Sequence, residues 1–155
     1  MKSIACLPVG ICSWDFDLKG EGFSATTSMG WVEAGSIMVN RQTFEIRKKG
    51  LFSGEWDAHQ GGRPIYQAKK TNPFFRDIGI RSEEHTCVLK PDSIFSRAMR
   101  VTGGGHSFVI EASHAFTRRA TISGRYEDPV LVTFAFWLTI LQWRRQANNN
   151  GGAAD

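Results

Sequence analysis

The chain has 155 residues, a formal net charge of +4, and 41% hydrophobic against 22% charged residues, a balance ordinary for one soluble globular domain. The mild basicity permits contact with phosphates or an anionic membrane surface without demanding it. Three cysteines, Cys6, Cys12 and Cys87, with no CxxC spacing, argue against a disulfide framework.

The amino-terminal run MKSIACLPVGIC is apolar but broken, and too short for a convincing signal peptide. A reduced, cytoplasmic location is the expectation, with a lipidated Cys6 as a remote alternative. Residues 1–13 read as irregular, interrupted by Pro8 and Gly10. From Trp14 onward the two-residue alternation of half-buried strands recurs. It is seen at 14–18, 44–48 and 55–59, and further strand candidates lie at 23–27, 35–39, 65–69, 75–81, 86–90, 98–102, 107–111 and 119–124. Turn chemistry separates these runs, most strongly Gln60-Gly61-Gly62-Arg63-Pro64 and the hairpin signal Gly103-Gly104-Gly105. Short strands spaced every 8–12 residues predict an all-β sandwich or barrel.

The pattern changes at Asp128-Pro129. Val130 to Trp143 is fourteen residues without a charge, closed by Arg144-Arg145. Pro in a first helical turn, a preceding acid and terminal cations all suit a helix, expected over about 129–145. Its apolar residues cover every side, so it must be buried all round or lie in lipid. The run is shorter than the ~20 residues a bilayer span needs, which favours a buried core helix over a membrane tail. The predicted fold is therefore mainly β: a single-domain antiparallel β-barrel of about ten to twelve short strands enclosing this helix. The domain is expected over 1–146. The polar, Gly-rich end 147–155 is expected to be a disordered tail.

A weak internal repeat accompanies the strands. Arg47-Lys48-Lys49 runs into Gly50-Leu51-Phe52, and Lys69-Lys70 runs into Thr71-Asn72-Pro73-Phe74-Phe75. Each unit is a strand ending in a basic pair followed by an apolar loop, and an up-down-up meander puts both pairs at one end.

The stretch FEIRKKGLFSGEWDAHQGGRPIYQAKK, from Phe44 to Lys70, resembles the tubby C-terminal-like superfamily, which includes phospholipid scramblases and LURP-one-related proteins. RRATISGRYEDPVLVTFAFWLTILQW, from Arg118, is similar to that group's last strand, acidic residue and apolar helix. The resemblance covers about two thirds of the chain by pattern, and residues 71–105 fall outside its register. It implies a β-barrel threaded by the helix and, from the tubby domains, recognition of anionic phospholipid head groups through exposed cations.

The head-group candidates are Lys48, Lys49, Lys69, Lys70 and Arg76, with Leu51 and Phe52 dipping into the interface. The competing structural reading is that the lysines are solvated strand ends that discourage edge pairing, while the aromatics pack in the core. His59, His85, His106 and His114 lack the short paired spacing of a zinc site, although His106 and His114 flank one strand. Cys87 reads as a buried structural thiol, and Asp15, Asp17 and Glu21 as exposed carboxylates. No GxSxG, HExxH or P-loop is present, so no catalytic residue, metal or cofactor is assigned. The sequence thus points to a non-enzymatic domain that binds a membrane surface or an anionic phospholipid and is peripheral to a membrane. The alternatives are a small-ligand carrier or enzyme with a pocket at the barrel mouth, and a protein-interaction scaffold. Nucleic-acid binding ranks below these because the basic residues are spread along the chain.

Overall fold

The computed structural model describes residues 2–72, 75–113 and 117–153. It contains twelve strands, then one helix. The strands are β1 (Lys2–Pro8), β2 (Phe16–Gly20), β3 (Phe23–Met29), β4 (Gly35–Val39), β5 (Gln42–Lys48) and β6 (Glu55–Gln60). They continue as β7 (Arg63–Lys70), β8 (Ile78–Arg81), β9 (Thr86–Pro91), β10 (Met99–Gly103), β11 (His106–Ala112) and β12 (Ala120–Arg125). The helix is α1 (Pro129–Ala153). Each strand pairs antiparallel with its sequence neighbour, and β1 closes the barrel against β12 with Ile4 opposite Ile122.

The period-two pattern decides which side chains enter the barrel. Ile4 and Cys6 of β1, Phe16 and Leu18 of β2, Phe44 and Ile46 of β5, and Phe108 and Ile110 of β11 all point inward and are buried. Small residues at other inward positions, among them Ala25, Ala58, Ala68 and Ala120, leave room for the large side chains of α1. From Leu131 to Trp143 every helical residue is buried. The helix therefore fills the barrel, as its all-round apolar surface requires.

The polar side chains of α1 inside this wall find partners for their donors, since a buried unpaired polar group costs free energy, whereas Thr27 Oγ1 and Trp56 Nε1 of the wall have none among the described residues. Thr133 and Thr139 donate to the carbonyls of Pro129 (2.8 Å) and Ala135 (2.9 Å) one turn back. Trp137 Nε1 donates to the Ser28 carbonyl at 3.0 Å. Glycine at position 35 is what permits that approach, because a Cβ there would lie 3.0 Å from the indole nitrogen and collide with the Ser28 carbonyl. Asp128 caps the helix, its Oδ1 accepting from the Val130 amide at 2.9 Å.

Several expected boundaries move. Residues 2–8, read as irregular, form β1. The alternation of Ile4 and Cys6 is present, and Pro8 sits at the strand's last position, where a missing N–H is tolerated. The strand expected at 14–18 starts at Phe16, and the one expected at 75–81 shrinks to Ile78–Arg81, leaving Phe75 in a loop. Pro64 sits inside β7, opposite a register shift at Ala58/His59 that absorbs it.

The helix expected over about 129–145 is present and runs on past 145, through Asn148–Asn150 to Ala153. Extending an existing helix costs far less than nucleating one, so weak helix formers can follow a buried core. Among the described residues no helix is long and apolar enough to cross a membrane.

Replacing Trp137 with Ala is expected to destabilise the fold by about 3–5 kcal/mol, read from chemical denaturation, because the barrel wall cannot collapse onto the void.

Candidate functional site

Up-and-down topology sorts the connections into two kinds. At the end where α1 enters, the hairpin turns are short: 21–22, 40–41, 61–62, 82–85 and 104–105. At the other end, where α1 emerges, the connections are the longer loops 9–15, 30–34, 49–54, 71–77, 92–98 and 113–119.

The loop end is apolar at its tips. The described residues include eleven exposed large hydrophobic side chains, and nine of them lie in these loops. Val9 and Ile11 occupy the first loop, Trp31 and Val32 the second, and Leu51 and Phe52 the third. Phe75 is in the fourth, and Ile94 and Phe95 are in the fifth. Trp31 is 99% exposed and Phe52 100% exposed, so neither is covered by any of the described residues. A concentration of this kind at one end differs from the scattered single exposed residues that need no explanation.

The same end is the basic one. Counting the six loops with two strand residues on each side, together with Arg144 and Arg145, it holds thirteen Lys and Arg against seven Asp and Glu. The remainder of the chain holds six against eight. The excess positive charge of the whole protein therefore resides at this end.

Both lysine pairs lie at the loop end, as the meander requires, but strand alternation splits each pair across the wall. Lys48 and Lys70 follow the inward positions Ile46 and Ala68, while Lys69 faces outward. Lys49 lies 3.6 Å from Asp57, and Lys69 lies 3.4 Å from Glu55. Lys48 Nζ is 2.6 Å from Glu33 Oε1, and Arg145 pairs with the other oxygen of the same carboxylate. Lys70 makes no ion pair among the described residues. Burial, and then the charge of Arg145, hold its ammonium below the ordinary lysine range. Lys48, Lys69, Lys70 and Arg145 line one open cleft of about 530 Å³, walled by Leu51 and Phe52.

Arg76 has a different position. Its guanidinium donates to the Ser96 carbonyl at 3.0 Å, tying loop 71–77 to loop 92–98. Arg118 donates to the Ser13 carbonyl at 2.8 Å and stacks 3.8 Å from the Trp14 ring centroid. Arg144 donates to the Gly30 carbonyl at 2.8 Å. Gln142 and Trp143 donate to the carbonyls of Arg76 (3.2 Å) and Arg97 (2.9 Å). These bonds tie loops 30–34, 71–77 and 92–98 to α1 and loop 113–119 to loop 9–15.

The opposite end gathers a second polar cluster. His106 is buried, and its ring meets His85 edge-on with centroids 5.0 Å apart. Its Nδ1 accepts from the Glu127 amide at 3.4 Å, and its Nε2 has no partner. Tyr66 donates its hydroxyl to Asp128, and burial followed by that bond pushes the phenol's pKa up. His59 Nε2 lies 3.7 Å from Asp57 on the outer wall, and His114 lies outside the described residues. Among the described residues no three His, Cys, Asp or Glu side chains gather as a metal site. Cys87 is buried, as its strand setting suggested, and burial pushes its thiol up to about 11.

Of the ring of loop tips, sequence reasoning named Leu51 and Phe52 as interface residues and noted the apolar run 71–75. The missed sign was present: adjacent apolar pairs at 31–32, 51–52, 74–75 and 94–95 recur once per hairpin and interrupt the alternation. Comparison with family models, with curated proteins and with solved structures finds no match to this chain.

The His106 environment predicts a pH dependence. Burial, and then the neighbouring His85, hold its pKa below the ordinary 6.5, against the opposing pull of Asp128 and Glu127. Below that ordinary value the unfolded chain takes up a proton that the folded chain refuses, so stability falls with acidification. Thermal unfolding is expected to show Tm falling as pH passes down through about 6.5. In His106→Gln that segment of the profile should flatten. An unchanged profile would refute a neutral buried His106.

Proposed function

We propose that this barrel is a non-enzymatic, peripheral membrane-binding domain that docks its loop end on an anionic phospholipid surface. The tubby-like resemblance belongs to the same proposal, as does a location on the cytoplasmic side of a membrane. The observation that carries the reading is the coincidence of exposed apolar tips and excess positive charge at one end of the barrel.

The two features suit the two layers of a membrane surface. Trp31, Phe52 and Phe95 stand out from the ring of cations and reach past the phosphates toward the acyl boundary. Full withdrawal of such a side chain from water is worth about 1.5–3 kcal/mol. Each Lys or Arg near an anionic surface adds about 1 kcal/mol. The tips and the charges therefore contribute on a comparable scale, and the charges supply the preference for anionic lipid. The exposed helical turn at Ala147–Asn150 is uncharged and polar, a composition suited to the hydrated head-group layer. Because α1 fills the barrel, a carrier or enzyme would have to work from the open clefts of the rim.

Co-sedimentation with vesicles of phosphatidylcholine, with and without phosphatidylserine, tests the reading. Binding to the anionic vesicles is expected and should weaken as salt rises. The Trp31→Ser/Phe52→Ser/Phe95→Ser variant should lose at least about tenfold in affinity, given the worth of each tip. Failure of the folded wild-type chain to bind anionic vesicles would remove the proposal and leave a protein-interaction scaffold as the better account of this face.

A further inference from the structure

The cation cluster at the loop end already holds one anion, and it belongs to the chain. Glu33 lies in loop 30–34, beside the exposed pair Trp31 and Val32. One of its carboxylate oxygens meets Lys48 at 2.6 Å and the other meets Arg145. Beneath them is Trp56, with Lys48 Nζ 5.8 Å and Arg145 Cζ 5.6 Å from its ring centroid. Lys70 lies in the same cleft with no carboxylate of its own among the described residues.

Glu33 is held there in an unfavourable backbone conformation. Its φ is +56°, in the left-handed region that side chains other than Gly, Asn and Asp seldom adopt. The loop is closed by the Gly30 amide on the Ala34 carbonyl at 2.6 Å and by Arg144 on the Gly30 carbonyl. The carboxylate is thus a third tie on the loop that carries Trp31. Two cations contact the one carboxylate and Lys70 lies in the cleft without an ion pair among the described residues, since Glu55, which also lines the cleft, is engaged by Lys69.

We infer that Glu33 is an internal stand-in for an external phosphoryl anion. A phosphate group entering the Lys48–Lys70–Arg145 cleft displaces the Glu33 carboxylate and removes one of the three ties on the Trp31 loop, which lies at the surface from which that phosphate came. Phosphoryl oxygens satisfy an Arg fork and two ammonium groups better than one carboxylate does. Two further features support the exchange. Lys48 and Arg145 hold the Glu33 carboxyl below its ordinary range in spite of its burial, so it is the charged form that competes. Lys70 is depressed first by burial and then by Arg145, and Glu33 opposes this only in part. The inference rests on the membrane reading for the role of Trp31, but the anion exchange itself does not require a lipid.

The test uses the full chain, wild type and two variants. Glu33→Gln removes the charge and keeps the shape. Glu33→Gly removes the charge and also suits the positive φ, so it guards against a misfolded Gln variant. Two probes are applied: phosphatidylcholine vesicles with and without phosphatidylserine, and inorganic phosphate read by thermal shift. Both variants are expected to bind the anionic vesicles about fivefold more tightly than wild type, the worth of one charge at such a surface. Neutral vesicles should show no change, and phosphate should raise Tm more in the variants than in wild type.

If only the phosphate arm responds, the exchange site stands as a site for free phosphate and the membrane reading fails. If only the vesicle arm responds, the site takes its phosphate as part of a lipid surface. Wild-type binding to vesicles with no gain in either variant on either probe would overturn the inference, leaving the membrane reading intact. Loss of the folded state in both variants would also overturn it, since Glu33 would then be a structural tie that no anion can replace.

Discussion

The constraint on which this molecule depends is the removal from water of a helix with no polar side. Thirteen consecutive residues of α1, Leu131 to Trp143, are withdrawn from solvent. No single sheet or neighbouring helix covers every face of such a rod. A closed wall does, and the strands provide it by alternating one inward apolar residue with one outward polar residue. Closure also disposes of the unpaired sheet edges that twelve short strands would otherwise present. The aromatic contact between Phe16 and Phe136, edge to face at 5.1 Å, is one point where wall and rod fix each other's position.

The same arrangement makes the two ends unequal. Because α1 enters through a short link after β12, its amino terminus is confined among tight turns and capped by Asp128. Its carboxyl-terminal half emerges among long loops, whose carbonyls receive Gln142, Trp143 and Arg144. Those bonds use the polar ends of α1 to brace the loops, and the loops are then free to carry apolar side chains outward at little cost to the core. Cations follow from the same geometry. Lys48 and Lys70 end inward rows of apolar residues, so their stems cover the mouth of the barrel while their charges stay near water.

The barrel and its helix were legible because periodicity and all-round apolarity report burial directly. The first strand was hard to see because Ala5, Cys6 and Pro8 carry little strand propensity. What makes β1 a strand is closure, since both β12 and β2 need a partner there. The continuation of α1 past 145 was hidden for a similar reason. Asn148–Asn150 would not form a helix alone, but the buried segment before them has already met the cost of nucleation. At the rim, the chain order showed that Lys48, Lys49, Lys69 and Lys70 share an end. It did not show that alternation would part each pair, nor that Glu33, fifteen residues before Lys48, would lie between Lys48 and Arg145. Such contacts join residues far apart in the chain, where local pattern carries no information.

The account's central claim is that α1 is sheathed by the chain's own strands and cannot leave them without global unfolding. Native-state hydrogen exchange measures this most directly. The amides of Phe134 to Leu141 are expected to exchange only through global unfolding, with the same free energy and denaturant dependence as the core amides of β5 and β11. Exchange of those helical amides at low free energy, while the strands stay protected, would contradict the claim: it would show a helix that leaves the barrel, and the sided architecture built around it would fall.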